Sequence, residues 1–296
     1  MSLLQNKEVS LYFTYNKNGP ARVIDNLCKG LVINNYSVLL NPQTPRGWVG
    51  LLQDHPVRSY MSMNKNDALL GPNLFVLPDE STESRQLCDN FSHFLCPSDW
   101  VSKKYRSFSV LDQASIDIWP VGIDTEVWCG RNSARNSEEK HVLLYTKSKS
   151  RLEAQNAYNT ISKAGCRVTH IDYGSYSESD FHSLCHSVDC CVLLTGTESQ
   201  GIAYMQILSC GIPCYVVDTD TWVDSRRNLS FRATSVPYFN DSCGVKVRSL
   251  EESTLTQFLE NISEYDPRDY IVKNHSLKTN ATSYISIMQK YNCRVW

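Results

Sequence analysis

No stretch of this sequence approaches the ~20 consecutive apolar residues that a membrane-crossing helix needs. Runs such as Cys190–Leu194 are of strand length. The first residues, Met1–Glu8, lack a basic segment followed by an apolar one, so no secretory leader is expected. Positive charge is not in excess. Lys and Arg number 29 against 31 Asp and Glu, a net charge of -2, which argues against broad nucleic-acid binding. There is no C-x-x-C, which removes a zinc ribbon and a thioredoxin-type motif. The 12 cysteines therefore read as free thiols in a reducing, cytoplasmic setting. G-x-G-x-x-G is absent, so the loop at Gly19 is not a dinucleotide fingerprint. H-E-x-x-H is absent too. His182 and His186 are spaced i, i+4, but a surface helix face is the simplest reading of the pair. What is present is globular: 296 residues, 42% hydrophobic and 20% charged, enough for a core in each of two lobes.

Strands alternate with helices along the chain. Val9–Thr14 is β-rich, and Pro20 opens a helix on which Ala21, Ile24, Leu27, Cys28 and Leu31 recur at helical spacing. Asn34-Asn35 closes that helix before a strand over Tyr36–Leu40, so a parallel βαβ unit is expected. Residues 41–72, rich in Pro and Gly, read as loops and short elements. Leu74–Leu77, Phe94–Cys96 and Ile116–Trp119 read as short strands, with Ser98 as the N-cap of a helix. Cys129–Glu139 is polar and aperiodic, the best linker candidate. The rhythm then restarts. Strands are expected at His141–Tyr145, Val168–Ile171, Cys190–Leu194 and Cys214–Val217. The helices between them are expected at about Ser150–Ala164 with Gly165 as its stop, after Ser177, and over Gly201–Ser209 with Gly211 as its stop. A last helix covers Ser276–Tyr291. Doubly wound sheets bind ligands at the carboxyl ends of their strands, and two such lobes would face a central cleft.

The sharpest feature is the segment Thr197–Pro213. A buried strand ends, a short loop carries the Glu198 carboxylate, Gly201 allows close approach, and a helix begins. Backbone N–H groups over Ser199, Gln200, Gly201 and Ile202 can hold a phosphate at such a helix start. Glu198 can accept hydrogen bonds from sugar hydroxyls, and Gln206 can reach a second pair. Asp218-Thr219-Asp220 has the D-x-D spacing of a metal motif, but it follows a buried strand, and a strand-end loop is the better reading.

This segment resembles the signature of the retaining GT-B glycosyltransferases of glycosyltransferase family 4, the group 1 transferases. Glu198, Gly201, Cys210, Gly211 and Pro213 fit its frame, while Gln206 stands where the second acidic residue would be. Three further stretches are similar to the family in the same order. Asn18–Leu31 resembles its N-terminal glycine loop and helix, although Gly19 stands alone where two glycines are common. Phe94–Val101 resembles its strand–Ser–helix segment. Trp119–Trp128, with Pro120-Val121-Gly122-Ile123-Asp124, resembles the end of its first lobe. The likeness spans roughly residues 8–220.

The resemblance implies an α/β chain of the GT-B fold, two Rossmann-like doubly wound lobes facing a central cleft. Residues 1–130 would form the acceptor lobe and 131–275 the nucleotide-sugar donor lobe. Residues 276–296 would be a helix crossing back to the first lobe. It implies transfer of a sugar from a nucleoside-diphosphate sugar, UDP- or GDP-linked, to a hydroxyl acceptor such as a glycan, with retention and without a bound metal or other cofactor. Catalytic roles would fall on Glu198, Lys147 and Arg151, the two cations serving the leaving diphosphate. Donor contacts would come from Gly19, Ser199, Gln200, Gly201, Ile202 and Gln206, and His55 is the acceptor-side candidate. Gln at position 206 keeps a hydrogen-bonding carbonyl but loses the charge. A nucleotide-sugar epimerase or hydrolase on the same fold, and a non-catalytic nucleotide-sugar binder, stay open.

Overall fold

A computed structural model describes residues 7–14, 19–53, 67–72, 74–130 and 139–295. The chain divides into two compact units, Met1–Gly122 with His275–Trp296, and Ile123–Asn274.

The first unit is built on a mostly parallel sheet. Its elements are β1 (Glu8–Phe13), α1 (Gly19–Ile33), β2 (Ser37–Leu40), β3 (Gly47–Gln53), β4 (Leu69–Leu70), α2 (Thr82–Asn90), β5 (His93–Cys96), α3 (Asp99–Tyr105) and β6 (Ser115–Ile118). The strand order is β2-β1-β3-β4-β5-β6. β1, whose Val9 and Leu11 are wholly buried, pairs in parallel with both β2 and β3, so the chain crosses back over the sheet through α1. Two expectations are corrected here. Gly47–Gln53 is a central strand rather than loop, buried at Val49, Leu51 and Leu52. Its Trp-Val-Gly-Leu-Leu run is continuous rather than alternating, as strands covered on both faces are. Leu74–Leu77 is not a strand, and the strand of that region is Leu69–Leu70. Glu80 holds the 76–77 backbone instead, accepting from the N–H groups of Val76 and Leu77 at 3.1 Å each. Ser98 does stand at the N-cap of α3, but its hydroxyl makes no capping bond.

The second unit runs through β7 (His141–Lys147), α4 (Arg151–Lys163), β8 (Arg167–Asp172), α5 (Glu178–Cys185), β9 (Cys190–Thr195), α6 (Ile202–Ser209) and β10 (Cys214–Val217). An antiparallel hairpin of β11 (Thr221–Asp224) and β12 (Leu229–Arg232) follows, then β13 (Gly244–Val247), α7 (Glu252–Glu260) and α8 (Pro267–His275). The parallel sheet has the order β13-β10-β9-β7-β8. β9 is buried at all six positions, so it reads as an unbroken apolar run. Leu143, Tyr145, Cys191 and Leu193 face one apolar core with α5 and α6; Val142, Leu144, Cys190 and Val192 face the other with α4 and α7. Gly165 and Gly211 end α4 and α6 at φ 78 and 76, where glycine carries no Cβ penalty. Most of the linker candidate Cys129–Glu139, residues 131–138, lies outside the described residues.

The chain ends in α9 (Leu277–Tyr291), capped by the Ser276 hydroxyl, and β14 (Arg294–Val295), which pairs antiparallel with β3. α9 lies on α1 and β3 within the first unit. Gly30 and Gly50 make room for it, since a Cβ at Gly30 would meet Ala281 at 2.9 Å and one at Gly50 would fall on the Tyr284 hydroxyl. Trp119 donates to the Asn280 carbonyl at 2.8 Å, and the Asn280 amide donates to the Pro120 carbonyl at 2.6 Å. All twelve cysteines are free thiols. Among the described residues no helix is long and apolar enough to cross a membrane.

Candidate functional site

The order of the second sheet reverses between β7 and β9: β8 lies beyond β7 on one side, β10 beyond β9 on the other. Such a reversal leaves a crevice outside the carboxyl ends of the two strands, the usual ligand position in doubly wound sheets. Lys147 ends β7 and Thr195 ends β9, and the two are register partners. Glu198 follows three residues after Thr195. Its carboxylate Oε1 lies 2.6 Å from the Lys147 Nζ. The ammonium also sits 4.4 Å from the centroid of the Tyr173 ring, just beyond the end of β8. Three strand ends thus converge on one cation.

The loop bearing Glu198 is held from the opposite side. The Glu198 N–H donates to the Thr234 carbonyl at 3.0 Å. Thr234 and Ser235 in turn donate to Asp218, from the Thr234 hydroxyl at 2.9 Å and the Ser235 N–H at 2.7 Å. The Thr219 hydroxyl donates to the Thr195 carbonyl at 2.9 Å. Asp218 is therefore a clasp that fastens the end of β10 to the Glu198 loop. This gives the D-x-D spacing a structural role.

Glu198 and Lys147 retain 15% and 28% of their side-chain exposure, enough to meet a ligand and little enough to matter electrostatically. Burial pushes the Glu198 carboxyl above its ordinary range, and the adjacent Lys147 charge pulls against that shift without cancelling it.

α6 begins beside this pair. Gly201 is its N-cap at φ 77, a left-handed conformation, and a Cβ there would fall on the Tyr204 ring. That ring is itself fixed, because its hydroxyl accepts from the Tyr238 N–H at 2.9 Å. No side chain caps α6 and no acidic residue stands in its first turn. Its leading N–H groups are left for something else. α4, on the other side of β7, differs. Ser150 and Glu153 form a complete capping box there.

The residues singled out from sequence divide accordingly. Lys147, Glu198, Ser199, Gln200, Gly201 and Ile202 lie together at the carboxyl ends of β7 and β9 and the start of α6. Gln206 lies one turn into α6 and is 4% exposed. Arg151 is the exposed first residue of α4 and makes no ion pair among the described residues. Gly19 belongs to the first unit, where it opens α1 after β1 with nothing within 4 Å of its Cβ position. His55 lies outside the described residues. Tyr173, Thr234 and Tyr204 had no signal in sequence. Each is drawn in by pairing with an element far along the chain.

Two Rossmann-like α/β units in succession are the GT-B fold, and the solved structures that resemble this chain bear that out. It is similar to sucrose-phosphate synthase from Thermosynechococcus elongatus, with a TM-score of 0.59 and 10% identity over 96% of this chain and 98% of that one. The catalytic domain of starch synthase IV from Arabidopsis thaliana, bound to ADP and acarbose, gives 0.58 and 10% over 97% and 99%. The apo lipopolysaccharide outer core galactosyltransferase WaaB gives 0.56 and 11% over 96% and 99%. No protein-family model and no curated protein matches the chain.

Proposed function

We propose that this protein is a glycosyltransferase. It moves a sugar from a nucleoside-diphosphate sugar, UDP- or GDP-linked, to an acceptor hydroxyl, with retention of anomeric configuration and without a bound metal. The observation that carries this reading is the pairing of Lys147 with Glu198 at the strand reversal, beside an α6 N-terminus with no cap of its own. The fold shared with the synthases and the galactosyltransferase supports it.

The chemistry follows from charge. As the glycosidic bond to the diphosphate breaks, negative charge builds on the leaving oxygen. The N–H groups of Gly201 and Ile202 and the positive end of α6 face that charge, and Lys147 supplies a full cation. Glu198, held beside Lys147, accepts hydrogen bonds from the donor-sugar hydroxyls and orients the ring. The buried Gln206 amide takes the ribose hydroxyls. The exposed Arg151 reaches the diphosphate only when a ligand draws it in. Positioning and preorganised charge supply the catalysis, and no protein nucleophile is required.

The test is thermal unfolding with UDP, GDP, ADP and CMP, each with and without EDTA, followed by transfer assays with the sugar donors of whichever base binds. A ligand at a hundred times its dissociation constant stabilises by ~2.7 kcal/mol. A shift with one diphosphate that survives EDTA, lost in Lys147→Ala, is expected. No shift with any diphosphate or intact nucleotide sugar would overturn the reading.

A further inference from the structure

His182 and His186 lie on α5, away from Lys147 and Glu198, and the transfer chemistry has no use for them. α5 starts at its Ser177 cap and ends at His186, its C-cap residue. Phe181 and Cys185 point into the core, which leaves the neighbouring positions 182 and 186 along one half-buried flank. There the two rings converge. Their centroids are 4.6 Å apart and their Nε2 atoms 3.4 Å apart. The His182 Nε2 also lies 2.8 Å from the carbonyl oxygen of Val127, 55 residues earlier in the chain. The edge of Trp128, 5.2 Å between centroids at 67°, holds the His182 ring in that place.

One proton on the His182 Nε2 can serve only one of these two neighbours. A metal ion between the rings would instead take a lone pair from each of the two Nε2 atoms. Two imidazole nitrogens each ~2.0–2.1 Å from a tetrahedral ion stand ~3.3–3.4 Å apart, which is the separation here. Imidazole is a preferred donor for zinc, copper and nickel. Among the described residues there is no group of three or more His, Cys, Asp and Glu side chains placed to hold a metal, so any ion here rests on the histidine pair.

We propose that His182 and His186 form a binding site for a divalent transition-metal ion, Zn2+ or Ni2+, with the Val127 carbonyl oxygen drawing back from its 2.8 Å hydrogen-bond distance to the ~3.3 Å of a tetrahedral neighbour as third donor and water in the remaining position. Both rings would carry their proton on Nδ1 and present the Nε2 lone pair to the ion. The ion would tie the end of α5 to the Thr125–Trp128 turn. Its effect is on the stability of the second unit, and it stands independently of the transfer reaction.

The experiment titrates the full chain, kept reduced, with ZnCl2 and separately with NiCl2. Calorimetry gives stoichiometry, and the thermal midpoint gives stabilisation. One ion per chain is expected, bound at least ~10-fold more weakly in His182→Ala and in His186→Ala, with His170→Ala, a control at another partly exposed histidine, unchanged. Circular dichroism of the metal-free variants checks folding. Should His182→Ala fail to fold, His186→Ala and His186→Gln decide the matter at the helix end. Binding of wild-type strength in the His186 variants would overturn the proposal. So would no saturable binding below ~1 mM, or binding abolished only by alkylation of the partly exposed Cys28 and Cys129.

Discussion

α4 and α6 follow neighbouring strands of the same sheet onto its opposite faces, and their first turns are opposites too. α4 closes its own donors: the Ser150 hydroxyl accepts from the Glu153 N–H at 3.2 Å, and the Glu153 carboxylate accepts from the Ser150 N–H at 2.8 Å. That interaction holds the Glu153 carboxyl below its usual range. α6 has a left-handed glycine and nothing else. One helix start has spent its electrostatics on stability, and the other keeps them for a ligand. A negative charge brought to α4 meets a carboxylate already bonded to the helix's own first N–H groups, while at α6 it meets N–H groups without a side-chain cap, beside the Lys147–Glu198 pair.

The largest effect expected from breaking this contrast is at Glu198. Glu198→Ala should lower transfer by ~10²–10³-fold or more while the far-ultraviolet circular dichroism stays that of the wild type. A variant with near wild-type turnover would remove Glu198 from the site. Next is Gly201→Ala. The left-handed backbone and the fixed Tyr204 ring together should cost ~2–4 kcal/mol, read as a lower urea midpoint. Giving α6 the acid it lacks is a more selective change. Ala203→Asp should weaken UDP or GDP binding ~10-fold in calorimetry, with the ligand-free protein still folded by far-ultraviolet circular dichroism. The reciprocal change at α4 should do the reverse. Ser150→Ala should cost ~1 kcal/mol of stability and leave nucleotide affinity within about twofold.

The smallest effect is in pH dependence. The folded-state pKa of Glu198 is raised. The native state therefore binds this proton more tightly than the unfolded chain, and the associated stability is present at low pH and falls as pH rises from the ordinary glutamate range through the folded value. Glu198→Gln should flatten that component. Urea unfolding of both proteins across the acid range measures it, and parallel curves would contradict the assignment.

Strands buried on both faces and helices ended by glycine were legible from local pattern alone. Cys190–Thr195 is apolar throughout but for its last residue, and Gly165 and Gly211 stop their helices where the left-handed region is needed. β3 was not legible, because Gly47, Gly50 and the nearby prolines imitate a loop. Gly50 is there to admit the Tyr284 hydroxyl of α9, more than two hundred residues away. The 74–77 segment erred the other way: Phe75 sits 5.2 Å from the Tyr105 ring, Val76 faces outward, and Glu80 takes the backbone N–H groups that a strand would have paired.

By itself the sequence determined the alternation of strands and helices, the glycine punctuation and the carboxylate-turn-helix segment, since each depends on residues close together in the chain. Only the tertiary structure decided what surrounds Glu198. Strand order is a long-range choice, and it sets the end of β7 beside the end of β9. That choice gives Glu198 its cation, puts the Tyr173 ring against the same ammonium and turns Asp218 into a clasp. Non-local pairing of this kind leaves no period or spacing to read, because its partners share only a place in space.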